Sequence, residues 1–233
     1  MFGKLILRLI LLQIVGLFVV VHAGSQRPIR VLYTAALIDD PKGVRKADYI
    51  RNLKKLKEYG CDVYVVESCQ KGPTFLDQYC AHVCYTRSDI PKGNKGLNEA
   101  ISMLIGMKHF QFDPEDMILK VTGRYVMNDD QFVSLVRRNV NADIIARIWN
   151  KSDAFTGYFG MRCNHLLEFL ENYVQVCTAA NQKGFIEHAF ADYIVLNQNR
   201  FQILPIARLY DSCVADPMGR RKPDCAMDED TFL

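Results

Sequence analysis

The chain has 233 residues, 49% of them apolar and 24% charged, enough for one substantial hydrophobic core. Its 29 Lys and Arg against 26 Asp and Glu leave a formal net charge of +3, spread along the chain without a basic stripe, which argues against a nucleic-acid partner. There is no G-x-G-x-x-G after the first predicted strand, no G-x-x-x-x-G-K-[ST], no H-E-x-x-H and no G-x-S-x-G, so dinucleotide, P-loop, zinc-protease and serine-hydrolase chemistry lose most of their weight.

The first residues read as a targeting segment. Lys4 and Arg8 precede the apolar run 9–21, and Val21-His22-Ala23 offers small residues where a signal peptidase cuts. Residues 1–23 are expected to be a signal peptide or, because 5–21 is close to the shortest bilayer span, a signal anchor. Either places the chain in the secretory pathway, secreted or lumenal in the Golgi or endoplasmic reticulum, and membrane-anchored in the type II sense if the segment is kept.

Residues 29–38 (IRVLYTAALI) form an unbroken apolar, β-branched run, the mark of a strand buried on both faces. Over 45–59, Ala47, Ile50, Leu53, Leu56 and Tyr59 fall near one helical stripe, and Gly60 stops it. A strand at 62–67 (DVYVVE) completes a βαβ unit whose crossover length predicts parallel strands. Next come a short helix over 74–79, a strand over 82–86 (HVCYT) and a long helix over 96–110, with Leu97, Ala100, Ile101 and Leu104 on one stripe. A fourth strand, 117–121 (MILKV), runs into Thr122-Gly123-Arg124-Tyr125, and a helix over 128–138 carries Asp129 and Asp130 near its N-terminus. Strands at 143–149 and 155–162, helices at 164–176 and 186–197 and a last strand at 201–206 follow.

This alternation predicts one α/β domain over 29–210, a mostly parallel twisted sheet with helices on both faces, taking ligands beyond the carboxyl ends of its strands. Residues 211–233, where Arg220, Arg221 and Lys222 precede Asp224, Asp228, Glu229 and Asp230, are expected to be a flexible charged tail. All eight cysteines follow the leader, and an oxidising compartment predicts one or two disulfides; buried free thiols are the other reading for those inside strand-like segments. Cys80, His82 and Cys84 alternate along one strand, but three ligands without a fourth favour packing or a bridge over zinc.

What remains is an ordered series: 94–100 (NKGLNEA), 116–125 (DMILKVTGRY), 155–162 (FTGYFGMR) and Ile186-Glu187-His188. In order and spacing, over 29–206, it resembles the glycosyltransferase A-type superfamily, whose nucleotide-sugar fold is Rossmann-like. In that family a helix opening with Asn and Gly precedes a hydrophobic strand that carries a short acidic metal motif to the nucleotide diphosphate. A Gly-bearing strand and loop come next, then an acidic residue on a helix near the acceptor. The resemblance implies transfer of a sugar from a nucleotide-sugar donor to a glycan or protein-linked acceptor. It also shows a departure: Thr122-Gly123-Arg124 stands where the family has Asp-x-Asp, so the hard oxygen ligands for Mn²⁺ or Mg²⁺ are missing. That implies a metal-independent transferase or, as the alternative, a catalytically inactive binding protein on the same scaffold. A nucleotidyltransferase of related fold is disfavoured for want of the same carboxylates.

Under the resemblance Arg124 stands in for the metal, since a guanidinium gives two parallel charge-assisted hydrogen bonds to phosphate oxygens. Lys120 adds a point charge, and strand alternation would bring Lys120, Thr122 and Arg124 to one face. The other reading pairs Arg124 with Asp116 and leaves Lys120 solvated. Gly123 serves close backbone approach or a positive φ. Lys95 and Asn98 would meet phosphate or base at a helix N-terminus; equally, Asn94 is a cap and Lys95 pairs with Glu99 at i, i+4. Asp39 falls where base or ribose binds, or makes a turn with Asp40 before Pro41. Glu187, with His188 second, is the candidate base for the acceptor proton in an inverting transfer, against a first-turn glutamate that supports the helix dipole. Gly157, Tyr158 and Trp149 are placed at the acceptor, the two rings as a wall for the sugar, against packing at the sheet edge.

Overall fold

The computed structural model describes residues 28–38, 43–87, 94–149, 152–180, 185–205, 212–215 and 221–222. The elements run β1 (Ile29–Ala35), α1 (Val44–Glu58), β2 (Cys61–Glu67), β3 (His82–Tyr85), α2 (Lys95–Phe110), β4 (Met117–Thr122), β5 (Tyr125–Met127) and α3 (Gln131–Arg138). Then come β6 (Ile144–Ala146), β7 (Ile148–Trp149), β8 (Asp153–Ala154), β9 (Tyr158–Arg162), α4 (Cys163–Ala180), α5 (Ile186–Leu196), β10 (Ile203–Pro205), β11 (Ser212–Ala215) and β12 (Arg221–Lys222).

Seven strands form the main sheet in the order β10-β6-β9-β4-β1-β2-β3. β1 lies parallel to β2 and to β4, β2 to β3, and β6 to β10. The sheet is α/β and mostly parallel, as the alternating pattern predicts. β9 is reversed, antiparallel to β4 and β6. It follows β6 through the β7–β8 hairpin without a crossover helix, and parallel pairing would need such a crossover.

Alternation along the central strands feeds two cores. Leu32 and Ile118 face one side, where Met103, Met107, Leu166 and Phe190 of α2, α4 and α5 cover them. Tyr33, Leu119 and Val121 face the other, under Leu53, Leu56, Val133 and Val136 of α1 and α3. A Leu53→Ala change, at a side chain with no exposure, would cost about 3 kcal/mol through lost burial and the cavity left behind.

Several expectations are corrected. The run 143–149 breaks into β6 and β7, and the run 155–162 becomes a strand only at Tyr158. The short helix of 74–79 is a 3₁₀ turn, Phe75–Gln78, closed by a capping box between Thr74 and Asp77. In the region read as a charged tail, β11 pairs antiparallel with β5 and β12 in a three-stranded sheet; the flanking charges masked the apolar Cys213-Val214-Ala215. Cys61, Cys69, Cys80, Cys84, Cys163 and Cys177 are free thiols, so no bridge joins any two of these six. Cys80 donates instead to the Val63 carbonyl at 3.0 Å. His82 stacks on Tyr64 with centroids 4.7 Å apart, and among the described residues no three His, Cys, Asp or Glu side chains could hold a metal ion. The leader 1–23, with its span 5–21, lies outside the described residues; among those described, no helix is long and apolar enough to cross a membrane.

Candidate functional site

The chain steps outward from β1 to β2 and β3, then crosses back to β4 on the opposite side of β1. Strand order reverses between β1 and β4, and connections leaving in opposite directions open a crevice beyond the carboxyl ends there. A cavity of about 230 Å³ lies at this point, walled by Thr34, Ser68, Asn98, Glu99, Thr122 and Arg124. Arg45 and Lys95 also reach it, so three cations and one carboxylate line the wall.

β4 ends at Thr122 and the chain turns through Gly123 and Arg124 before β5. The Gly123 N–H donates to the Thr34 carbonyl at 2.8 Å, which holds the turn against β1. A Cβ at 123 would stand 2.7 Å from both the Tyr33 hydroxyl and the Tyr49 ring, so close approach, and not a positive φ, demands glycine. The turn places Arg124 on the cavity wall with Thr122 and Glu99. Its guanidinium lies 5.4 Å from the Tyr125 ring centre, and its Nε is buried without a hydrogen-bond partner. No carboxylate among the described residues pairs with it; Asp116 is taken by Arg30.

Lys120 does not present a free charge to the cavity, which corrects the expectation of a phosphate contact. It is fully buried on the α2 side of the sheet, and its Nζ donates to Glu99 Oε1 at 2.7 Å, to Thr122 Oγ1 and to the Thr156 carbonyl. An ammonium is tolerated there only with a charged partner and its remaining protons satisfied. Thr34 and Thr122, register partners on β1 and β4, donate to the same Glu99 oxygen at 3.1 and 3.0 Å. Glu99 therefore pairs with Lys120 and not with Lys95. Burial works to raise its carboxyl, but the charge and hydrogen bond of Lys120, with the bond from Thr122, outweigh it and hold the group below the ordinary glutamate range. The sequence reading gave Glu99 only as an i, i+4 partner for Lys95. The available signal was a lone lysine inside MILKV, which demands an acid partner.

At the start of α2, Asn94 Oδ1 accepts the Leu97 N–H at 2.9 Å, so Asn94 is a cap. Asn98, one turn on, has its Oδ1 buried without a partner. The N-termini of α2 and α5 meet: a Cβ on Gly96 would lie 3.2 Å from Ile186. Glu187, in the first turn of α5, accepts from Thr156 Oγ1 at 3.3 Å. It is joined to the Lys120 cluster through Thr156 but stands off the cavity wall. His188 is exposed beside the Phe185 ring, at 5.4 Å between centroids.

The acceptor group does not assemble as expected. Tyr158 is 2% exposed, packed among Tyr125, Phe132 and Phe155 with centroids 5.1 to 6.3 Å away, because alternation along β9 turns it into the core under α1 and α3. It cannot wall a sugar. Gly157 accepts the Thr122 N–H at 2.7 Å, and a Cβ there would lie 2.3 Å from the Phe155 ring. Trp149 belongs to β7, its side chain lies outside what is described, and Asp39 lies outside the described residues altogether.

The donor set of the described wall does not suit a divalent cation. Its carboxylate, Glu99, already neutralises Lys120, and the residue at the tip of β4 is a cation.

No family model and no curated protein matches the sequence. Solved structures similar to this chain include a glycosyltransferase involved in the glycosylation of the major capsid of PBCV-1, at 12% identity over 76% of this chain and 82% of that one, with a TM-score of 0.48. Another is the glycosyltransferase GlyE of Streptococcus pneumoniae, at 10% identity and a TM-score of 0.47, where 76% of this chain spans 45% of that one. A third is mouse xyloside xylosyltransferase 1, at 8% identity over 77% of this chain and 85% of that one, with a TM-score of 0.45.

Proposed function

We propose that this chain is a glycosyltransferase of the secretory pathway that holds a nucleotide sugar in the β1/β4 cavity and passes the sugar to a glycan or protein-linked acceptor. The observation that carries the reading is Arg124, a guanidinium on the cavity wall at the strand-order reversal, with a buried Nε and, among the described residues, no carboxylate paired with it. A guanidinium held against the Tyr125 ring with a free buried Nε, in a partly open cleft, suits a diphosphate. Lys95 supports the same charge from the start of α2, Asn98 meets the nucleoside, and Asp39 meets base or ribose in the stretch after β1.

In a direct displacement the acceptor oxygen bonds to the anomeric carbon as the bond from that carbon to the diphosphate oxygen breaks. The electron pair goes to the diphosphate, where Arg124 stabilises it, and the acceptor proton passes to Glu187. Glu187 suits the role because its carboxylate sits one hydrogen bond beyond Thr156 from the Lys120 cluster. The described residues offer no cation site, and no step is routed through one.

The test incubates the full chain with UDP-, GDP- and CMP-sugars, with and without chelator, and measures nucleotide release and thermal shift. Release from one donor that survives chelator and is lost in Arg124→Ala is the expected result. A thermal shift without turnover in any acceptor extract would instead make the protein a binder, and no shift with any donor would remove the reading. N-terminal sequencing of secreted material tests the leader.

A further inference from the structure

Three donors from two strands converge on one oxygen of one carboxylate. Lys120 Nζ, Thr122 Oγ1 and Thr34 Oγ1 all bond Glu99 Oε1, at 2.7, 3.0 and 3.1 Å, and among the described residues none bonds Oε2. An ionised carboxylate has lone pairs for about four hydrogen bonds, and an unconstrained one shares them between its oxygens. Here one oxygen is pinned and the other is left over on a wall of the cavity, with the side chain 24% exposed.

The neighbouring residue on α2 repeats the pattern, since Asn98 Oδ1 is buried and lacks a donor. Opposite in sign, Arg124 lacks an acceptor at its buried Nε. The wall therefore asks for an anion at one point and for hydrogen-bond donors at two others. Phosphate or pyrophosphate alone satisfies Arg124 but brings no donor to Glu99 Oε2 or Asn98 Oδ1. A ligand bearing both a phosphate group and hydroxyls satisfies all three.

We propose that Glu99 is the specificity-determining residue of this cavity, its Oε2 accepting from hydroxyls of a ligand whose phosphates lie on Arg124, so that the site takes phosphorylated polyols and rejects hydroxyl-free polyphosphate. This deepens the nucleotide-sugar reading and rests on it. Lys120, Thr34 and Thr122 act through Glu99 as positioning residues. The hydroxyls belong either to the ribose or to the transferred sugar, and the test separates the two.

Full-length wild type, Glu99→Gln and Thr122→Val are titrated calorimetrically with pyrophosphate, uridine and guanosine diphosphates, their 2′,3′-dideoxy analogues and the corresponding nucleotide sugars. Wild type should prefer a ribonucleoside diphosphate, or its sugar ester, to pyrophosphate by roughly tenfold or more, the worth of one hydrogen bond to a charged group. In Glu99→Gln pyrophosphate should tighten while the hydroxyl-bearing ligand weakens by about tenfold, closing the gap from both sides. A ribose contact shows as a ribo-to-dideoxy ratio that collapses in the variant; a sugar contact shows as a collapse confined to the ester. Thr122→Val, which keeps the charge and removes one pin, should weaken the hydroxyl preference by a few-fold and leave pyrophosphate as in wild type. It carries the test if Glu99→Gln does not fold. Binding of every probe with a preference unmoved by either variant overturns the role of Glu99 and leaves the nucleotide-sugar reading standing. Absence of binding by any probe to wild type overturns both.

Discussion

The sheet carries a cavity at each end, and the two differ in what their charges do. Beyond the amino ends of β1 and β4 a cavity of about 280 Å³ is walled by Arg30, Asp116, Arg137 and Arg162. Each arginine there is engaged: Arg30 with Asp116, Arg162 with the carbonyls of Glu115 and Val140 at 2.8 and 2.7 Å, and Arg137 with those of Tyr59 and Gly60. At the carboxyl end Arg124 and Asn98 keep buried atoms without partners. Counting cations does not separate the two cavities, since three line each wall. Hydrogen-bond satisfaction does separate them: most buried polar groups are paired, and the carboxyl-end wall is the one of the two that carries buried atoms without a partner among the described residues. Arginines at the amino end hold loops to the sheet; Arg124, under the proposed function, would hold the diphosphate.

The largest expected effect breaks the contrast from beneath. Lys120→Met removes a fully buried cation and strands Glu99, and should cost about 3 kcal/mol of stability in urea unfolding while also loosening the cavity wall. Arg124→Ala comes next and should leave stability within about 0.5 kcal/mol of wild type, yet weaken a diphosphate ligand about 100-fold, the loss of two charge-assisted bonds. Arg30→Met is its mirror image: roughly 2 kcal/mol less stable, because Asp116 is only 7% exposed and loses its cation, with ligand affinity unchanged. Should Arg124→Ala destabilise the fold as Arg30→Met does, or Arg30→Met weaken the ligand, the two cavities would not differ in kind.

The same contrast separates what the sequence made legible from what it hid. Continuous apolar runs such as VLYTA in β1 and MIL in β4 announced buried parallel strands, and the helix between β1 and β2 announced the first crossover. The reversal of β9 was hidden, since a strand buried on both faces reads alike in either direction. The place of Arg124 just beyond the tip of β4, on the cavity wall, was legible because it depends only on where the strand ends. Lys120 and Tyr158 were misplaced because their roles depend on which face each strand turns to which helices, and that is decided by packing. Glu99 was the costliest omission: a helix glutamate four residues from a lysine has an obvious local partner, and only the sheet behind it shows the stronger one.

The smallest expected effect sharpens the contrast through pH. Lys120 and Thr122 hold the folded Glu99 carboxyl below its unfolded value of 4.5. Between the two values the unfolded chain binds more protons, so stability rises with pH there; the contribution is complete above about pH 4.5 and is lost as pH falls through the folded value. Glu99→Gln has no such proton to bind. Thermal melts of wild type and Glu99→Gln over about pH 3 to 7 should therefore show a stability gap that is constant at neutral pH and narrows on the acid side. Subtracting the two profiles cancels Asp77 and Glu168, whose carboxyls are also lowered but lie elsewhere and are common to both proteins. A gap that stays constant to the acid limit would mean that Glu99 gains nothing from its three donors in the fold. The pinned oxygen, and with it the free one on the cavity wall, would then have no energetic basis.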